Sequence, residues 1–202
     1  MPPRDSSLLV RPARPGDAEP LVGVLTAAFF DDAPMRWAFP SVDRRREIVP
    51  AFFRLFFDLS VTAGGAFTTA DLDAVVLGLP PDAAPPADFT ARLGEVAGEY
   101  ADALLTIVRL QEEHHPRHLG PHFYLAFGGV APERQGHGSL GRVARHILDD
   151  CDRAGLAAYA EASSPGGEAV ARGHGFAPIG GDIRIPGGPS LRPLWRPAGA
   201  TR

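Results

Sequence analysis

Apolar positions recur along the chain at spacings that predict helices and strands in alternation. The run Leu8-Leu9-Val10 predicts a short strand, and Asp17 precedes apolar residues at helical spacing, which predicts a first helix with Asp17 as its N-cap. Residues 43–61 carry several phenylalanines at helical spacing and predict a second helix whose apolar stripe faces the core. Residues 66–69 and 74–77 then predict a β-hairpin.

The second half of the chain has the same mixed character. Residues 88–112 predict a helix in one or two pieces, and residues 123–130 predict a buried strand in which Gly128-Gly129 indicates a bulge or a close backbone approach. A helix, a strand, a short helix or turn and a terminal hairpin follow, at 140–151, 156–162, 165–173 and 176–195. This order predicts a mixed α/β (α+β) fold in one domain, residues 1–202, with an ordered core at about 8–197.

Composition narrows the class of protein. Hydrophobic residues make up 45% and charged residues 22% of the 202 positions, which predicts a folded chain. The net charge of −4 and the absence of a basic stripe argue against a nucleic-acid partner. No apolar run reaches the roughly 20 residues that cross a bilayer, and the N-terminus lacks a signal peptide's apolar segment, so we expect no membrane partner and a cytoplasmic location. The lone Cys151 excludes an internal disulfide.

A glycine-rich turn lies between the predicted strand 123–130 and the helix that follows. It reads Gln135-Gly136-His137-Gly138-Ser139-Leu140-Gly141. Unpaired N–H groups at a helix start attract phosphate, and glycine lets the backbone come close. A tight strand-to-helix turn without a ligand is the alternative. The turn matches neither the Rossmann fingerprint nor the Walker pattern, which needs a lysine that this sequence lacks.

The segment from Val130 to Gly141 resembles motif A of the GCN5-related N-acetyltransferase (GNAT) superfamily. The likeness extends to other segments in the order found in puromycin N-acetyltransferase-like actinomycete members. These segments are His115-Pro116, His122-Phe123-Tyr124-Leu125, Tyr159-Ala160-Glu161-Ala162-Ser163 and Gly175-Phe176. The resemblance implies a mixed central sheet of about six to seven strands, with a splayed fourth strand and flanking helices.

The resemblance also implies acetyl-CoA as co-substrate and a set of residues that bind it. The pyrophosphate is expected on backbone amides of Gln135, Gly136, His137, Gly138, Ser139, Leu140 and Gly141. The pantetheine arm is expected along Gly128, Gly129 and Val130, with the thioester polarised by an amide near Val130. The two sets of residues together imply an acyl-CoA site on the strand 123–130 and the glycine turn that follows it.

The sequence departs from the family pattern at two places. Leu140 stands where the family commonly has a small residue. Ala171 stands where the family usually has the tyrosine that protonates the departing thiolate, and the stretch 164–168 lacks the asparagine that usually begins the helix. A positioned general acid contributes about 10²–10⁴-fold, so its loss is expected to slow transfer without necessarily abolishing it.

Three residues are candidates for catalytic roles. Glu161 is near the end of its strand and is the best candidate for a general base; a carboxylate held by a backbone amide at the next helix start is the alternative. Tyr124 either points into the acceptor pocket or is a core tyrosine with its hydroxyl satisfied. His174 is either a substitute acid, three positions after Ala171, or a helix cap.

Four histidines are close together in the sequence at 114, 115, 118 and 122. Pro116, Gly120 and Pro121 between them predict a loop that enters a strand, not ligands that converge on a metal. We therefore expect no metal.

The sequence favours an acetyl-CoA-dependent N-acetyltransferase that acts on a small amine, such as an antibiotic or secondary metabolite. Ala171 favours the alternative, a GNAT-fold binding or regulatory protein with lost catalysis, and a biosynthetic role without acyl transfer is a third hypothesis. The acceptor pocket is expected to be shaped by loops around 31–40 and 80–100, which carry no recognisable specificity signal. The terminal hairpin and the phenylalanine-rich helix are expected to offer apolar surface for a homodimer.

Overall fold

The computed structural model describes residues 9–200. Within this range the helices are α1 (Ala18–Phe29), α2 (Ala33–Ala38), α3 (Val42–Thr62), α4 (Phe89–Ala97), α5 (Ala101–His114), α6 (Ser139–Arg153) and α7 (Pro165–Gly173). The strands are β1 (Val10–Pro12), β2 (Ala66–Thr69), β3 (Ala74–Leu79), β4 (His122–Val130), β5 (Ala157–Ala162), β6 (Ala177–Pro178), β7 (Ile183–Arg184) and β8 (Ser190–Arg196).

All these strands join in one sheet. Its order is β1-β2-β3-β4-β5-β8-β6, and β7 pairs with the first residues of β8. Neighbouring strands are antiparallel except β4 and β5, which run parallel at the centre. A parallel pair needs a crossover connection, and α6 supplies it.

Helices cover both sides of the sheet. The side covered by α1, α3 and α5, called the α1 face, holds the largest core cluster, in which Leu25, Phe53 and Leu104 are buried. The side covered by α6 and α7, called the α6 face, holds two smaller clusters around Val143 and Phe176. The predicted mixed fold with flanking helices is therefore confirmed.

The predicted helices at 43–61 and 88–112 are also confirmed. The second is split into α4 and α5 at Gly98, whose φ of 57° ends the first piece. Asp17 lies at the N-cap position of α1, but its carboxylate accepts hydrogen bonds from the Arg11 side chain and the Arg14 N–H, not from an amide within α1.

Several details of the prediction were wrong. The proposed loop at 31–40 contains α2, and α4 occupies part of the proposed loop at 80–100. The predicted strand at 176–185 is two short strands, because Gly180 turns the chain with a φ of 59°. That division brings the sheet to eight strands instead of six or seven. Leu8, at the start of the first predicted strand, lies outside the described residues.

The phenylalanine-rich helix α3 faces inward. Phe52, Phe53 and Phe57 are buried, so this helix does not offer the apolar surface expected for a dimer. The exposed large hydrophobic residues between 9 and 200 are scattered at Leu9, Val42, Leu119 and Val170. In the same range, no helix has the length and apolar character needed to span a membrane.

Candidate active site

Strands β4 and β5 diverge at the centre of the sheet. They pair over residues 122–125 of β4 and 157–160 of β5. Beyond that point β4 stays paired with β3 as far as Val130, while β5 stays paired with β8 as far as Ala162. The predicted splayed fourth strand is thus confirmed. The facing backbone edges bound a slot in which an extended ligand with amide groups can pair as an added strand does.

A β-bulge in β4 decides which side chains face each side of the sheet. Gly78 of β3 lies opposite Leu125, and Leu77 lies opposite Phe127, which makes Ala126 the extra residue. The bulge shifts the alternation of side chains by one position. Tyr124 and Phe127 therefore both project onto the α1 face.

Gly128 and Gly129 permit close packing on the two faces of β4. A Cβ on Gly128 would lie 3.2 Å from Leu140 Cδ1, and a Cβ on Gly129 would lie 3.2 Å from Leu25 Cδ2. The predicted close approach is confirmed, and the bulge lies at Ala126, two residues before Gly128. Leu140, the bulky departure from the family pattern, fits because Gly128 has no side chain beneath it.

The glycine turn leads directly into α6. Gly136 and Gly138 have φ values of 79° and 77°, and Gly138 is the N-cap residue of the helix. No atom lies within 4 Å of where a Cβ would project from either glycine, so both are required by the backbone conformation and the space beside them is open. The first amides of α6, at Ser139 to Gly141, have no acceptor within the helix and form the anion-attracting end of its dipole.

Asp73, on the hairpin between β2 and β3, anchors this turn. Its buried carboxylate accepts hydrogen bonds from Thr69 Oγ1, from Arg134 Nε at 3.1 Å and from Ser139 Oγ at 3.0 Å. Burial raises the pKa of Asp73, but these hydrogen bonds outweigh it and the pKa is lowered overall. Asp73 is therefore a carboxylate that fixes both ends of the turn.

Glu161 is the centre of a hydrogen-bond network on the α1 face. Tyr159 Oη donates to Glu161 Oε1 at 2.7 Å, Tyr124 Oη donates to Oε2 at 3.1 Å, and Gln111 Nε2 of α5 donates to Oε2. Burial raises the pKa of Glu161, and the three hydrogen bonds offset part of that rise. A carboxyl group with a raised pKa is suited to accept a proton near neutral pH.

The partners of Glu161 settle two alternatives left open by the sequence. They are side chains, whereas the start of α7 is capped by Ser164, whose hydroxyl accepts from the Gly167 N–H. Glu161 is therefore not the carboxylate that caps the next helix. The hydroxyl of Tyr124 donates to Glu161, which matches the alternative of a core tyrosine with its hydroxyl satisfied. Burial, followed by the charge of Glu161, raises the pKa of Tyr124.

Two of the four clustered histidines form a pair beneath this network. His122 Nδ1 donates to the Gly120 carbonyl, which leaves His122 Nε2 to accept from His115 Nε2–H at 2.9 Å. Burial, followed by the charges of His122 and Arg117, lowers the pKa of His115 to about 4. Across residues 9–200, no group of three or more His, Cys, Asp or Glu side chains is arranged to hold a metal ion.

A cavity of about 600 Å³ passes through the slot and reaches both faces of the sheet. Of the ten predicted cofactor residues, Gly128, Val130, Gln135 and Leu140 line it, and the other six do not. Glu161 lines it on the α1 face, while Ala171 and His174 line it on the α6 face. The structure therefore brings the predicted base and the site of the missing tyrosine to one cavity.

His174 follows the last residue of α7 and its N–H donates to the Ala171 carbonyl at 2.9 Å. Its ring is buried and lies close to α6, where a Cβ on Gly141 would be 3.4 Å from His174 Nε2. His174 is thus both a helix-end residue and part of the cavity wall. The lack of a side chain on Gly141 gives its ring room.

Asp32 is a cavity residue that the sequence reasoning missed. It precedes α2, lines the cavity, and its Oδ1 accepts a hydrogen bond from Ser163 Oγ at 3.0 Å. Burial raises the pKa of Asp32, partly offset by hydrogen bonds from Ser163 and the Ala33 N–H. The available signal was Asp32-Ala33-Pro34, an N-cap residue followed by proline in the first turn of a helix.

Known structures share the fold of this chain. One, from Corynebacterium glutamicum, is described as histone acetyltransferase HPA2 and related acetyltransferase; it is 21% identical, has a TM-score of 0.62, and the match covers 95% of this chain and 97% of the other. The chain has the GNAT fold. A mosquito arylalkylamine N-acetyltransferase-like 5b shares this fold with 16% identity, a TM-score of 0.61 and coverage of 94% and 99%.

A third structure with the GNAT fold is a Drosophila melanogaster polyamine N-acetyltransferase, at 14% identity, a TM-score of 0.63 and coverage of 94% and 99%. No protein-family model matches the chain. At these identities the similarity establishes the GNAT fold that motif A predicted. The narrower likeness to puromycin N-acetyltransferase-like members stays a prediction.

Proposed function

We propose that the protein transfers the acetyl group of acetyl-CoA to the nitrogen of a small amine. The observation that carries this proposal is a single cavity that joins the β4–β5 slot, the Gln135 end of the glycine turn and the carboxylate of Glu161. The similar structures described as arylalkylamine and polyamine N-acetyltransferases support an amine as acceptor.

Acetyl-CoA binds, in this proposal, along the slot and the turn. The pyrophosphate takes hydrogen bonds from backbone amides between Gln135 and Gly141, where the start of α6 favours negative charge. The pantetheine arm pairs with the exposed edge of β4 at Gly128 to Val130, as a further strand would. An amide near Val130 polarises the thioester carbonyl.

The acceptor amine enters from the α1 face. An ammonium group must first lose one proton to become a nucleophile, and Glu161 is the group that accepts it, directly or through water. The nitrogen then forms a bond to the acetyl carbon, and the carbon–sulfur bond breaks. The nitrogen loses its second proton as the amide forms, and the CoA thiolate takes up one proton.

The thiolate leaves without the tyrosine that the family pattern provides. Ala171 lines the cavity at that place, and the titratable residue that lines the same face is His174. This observation favours a second candidate function, a protein that binds CoA but transfers acetyl groups poorly or not at all.

Thiol release separates the two functions. Purified protein is incubated with acetyl-CoA and a panel of primary amines, and the free thiol is followed with time. Amine-dependent release, lost in Gly138→Asp, supports the transferase. Calorimetric binding of CoA without release on any amine supports the binding protein.

A further inference from the structure

The acceptor side of the cavity has an aromatic wall. The ring of Phe127 is surrounded by the rings of Phe29, Phe52 and Phe56, with centroid distances of 5.7, 5.7 and 5.0 Å, each edge-to-face. All four residues line the cavity. The Ala126 bulge is what turns Phe127 toward this side.

Helix α5 supplies the opposite, aliphatic side. Its cavity-lining residues are Leu104, Ile107, Val108 and Gln111, which share one helix face at spacings of three and four. Three of the four are apolar, and the fourth donates to Glu161. The space between the two sides suits an apolar group, since a second charge there would be buried without a partner.

The charged side chains on the acceptor side of the cavity are acidic. Among residues 9–200, the acidic residues of the wall are Asp32 and Glu161, and no arginine lines it, although arginine is the basic residue of this chain. An acceptor that carried a carboxylate or a phosphate would meet like charge and find no counter-ion. A cationic nitrogen would meet two carboxylates.

The two carboxylates differ in the hydrogen bonds that they already accept. Glu161 accepts three from side chains. Asp32 accepts one, from Ser163 Oγ at 3.0 Å, which leaves acceptor capacity on a group with about four lone-pair positions. Ser163, the partner of Asp32, is two residues after Glu161, which puts the Cα atoms of Ser163 and Glu161 at most about 7 Å apart, so Asp32 and Glu161 line one region of the cavity.

We propose that the acceptor is a monoamine with an apolar aryl or alkyl body, and that Asp32 holds its ammonium group while the body packs between the phenylalanine wall and α5. This assignment rests on the proposed transferase function and narrows it. It selects apolar monoamines over polyamines, because Asp32 and Glu161 both serve the reacting nitrogen and a second cation would meet only apolar walls. It also selects them over amino acids, whose carboxylate has no counter-ion. Asp32 then sets specificity, and Glu161 accepts the proton.

The test uses three amines with saturating acetyl-CoA. Phenylethylamine and phenylalanine share a body and differ by a carboxylate, while agmatine carries a second cation. We expect kcat/KM for phenylethylamine to exceed both others by at least about tenfold. Equal or better turnover of agmatine or phenylalanine would overturn the assignment.

Asp32→Asn tests the anchor directly. Asparagine retains N-cap preference and removes the charge, so KM for phenylethylamine should rise about 10–100-fold while acetyl-CoA affinity is unchanged. Asp31→Asn is the matched control: its side chain is exposed, 79% accessible, and pairs with Arg45 outside the cavity. An Asp32→Asn variant with the KM of wild type would refute the role of Asp32.

Binding measurements separate this assignment from the transferase proposal. Phenylethylamine is titrated calorimetrically into protein saturated with CoA, which requires no turnover. Binding that Asp32→Asn weakens and Asp31→Asn leaves intact supports the assignment even if no amine is acetylated, an outcome that defeats the transferase alone. Binding that is absent, or that Asp32→Asn does not weaken, defeats the assignment even if other amines are acetylated.

Discussion

Tyr124 and Glu161 are linked across the parallel strands β4 and β5 by a hydrogen bond of 3.1 Å from the tyrosine hydroxyl to Oε2. The bond lies next to the point where the two strands separate. It connects a buried phenol to the carboxylate proposed as the base. The protonation state of Glu161 therefore depends on Tyr124.

Glu161→Gln should lower kcat by about 10²–10⁴-fold, because an amide cannot accept the proton of the acceptor. Acetyl-CoA affinity should be unchanged. Tyr124→Phe is a milder change to the same network. The hydrogen bond from Tyr124 lowers the pKa of Glu161, so removing the hydroxyl should raise that pKa further. The acidic limb of the kcat/KM profile should then move to higher pH. A profile identical to wild type would show that Glu161 does not control this limb.

Ala171→Tyr should raise the rate of thiol release, with a ceiling of roughly 10²–10⁴-fold, because it restores an acid on the cavity wall. Ala171→Phe is the matched control, since it adds nearly the same bulk without the hydroxyl. Ala171 packs against the core cluster that contains Leu148 and Phe176, so a larger side chain can disturb the site. Acetyl-CoA binding of both variants is therefore measured before their rates. If Phe accelerates transfer as much as Tyr, the gain comes from packing and not from proton donation.

Gly138→Asp should weaken CoA binding on the order of tenfold or more, because it adds a negative charge at the start of α6. Gly138→Asn is the control, because it adds a side chain of nearly the same size without the charge. Both substitutions must occupy the left-handed conformation of Gly138, which Asn and Asp tolerate better than most side chains. Calorimetry should show the greater loss for aspartate. Equal affinities in the two folded variants would place the pyrophosphate elsewhere.

Asp73→Asn should destabilise the protein by about 1–3 kcal/mol and weaken CoA binding, because the buried hydroxyls of Thr69 and Ser139 lose a charged acceptor and the turn loses its anchor. Thermal melting and calorimetry measure the two effects. Asp71→Asn, an exposed change in the same hairpin turn, should leave both unchanged. Destabilisation with full CoA affinity would show that the anchor supports the fold but not the turn.

Some features follow from the sequence because they depend on local backbone preferences. Only glycine readily adopts the positive φ values found at Gly136 and Gly138, and a run of apolar residues at helical spacing follows them, so the turn and α6 were predictable. Glu161 was predictable as a candidate base because the family resemblance matched its strand.

Other features were decided by tertiary structure, because they join residues that are distant in the chain. Gln111 meets Glu161 across 50 positions, and Asp32 meets Ser163 across 131. The bulge at Ala126 depends on the register between β3 and β4, and a shift of one residue changes the face of each side chain beyond it. The sequence by itself determined where phosphate is expected to bind. Only strand register and helix packing placed two carboxylates and an aromatic wall around one cavity, because those contacts form between elements and not within them.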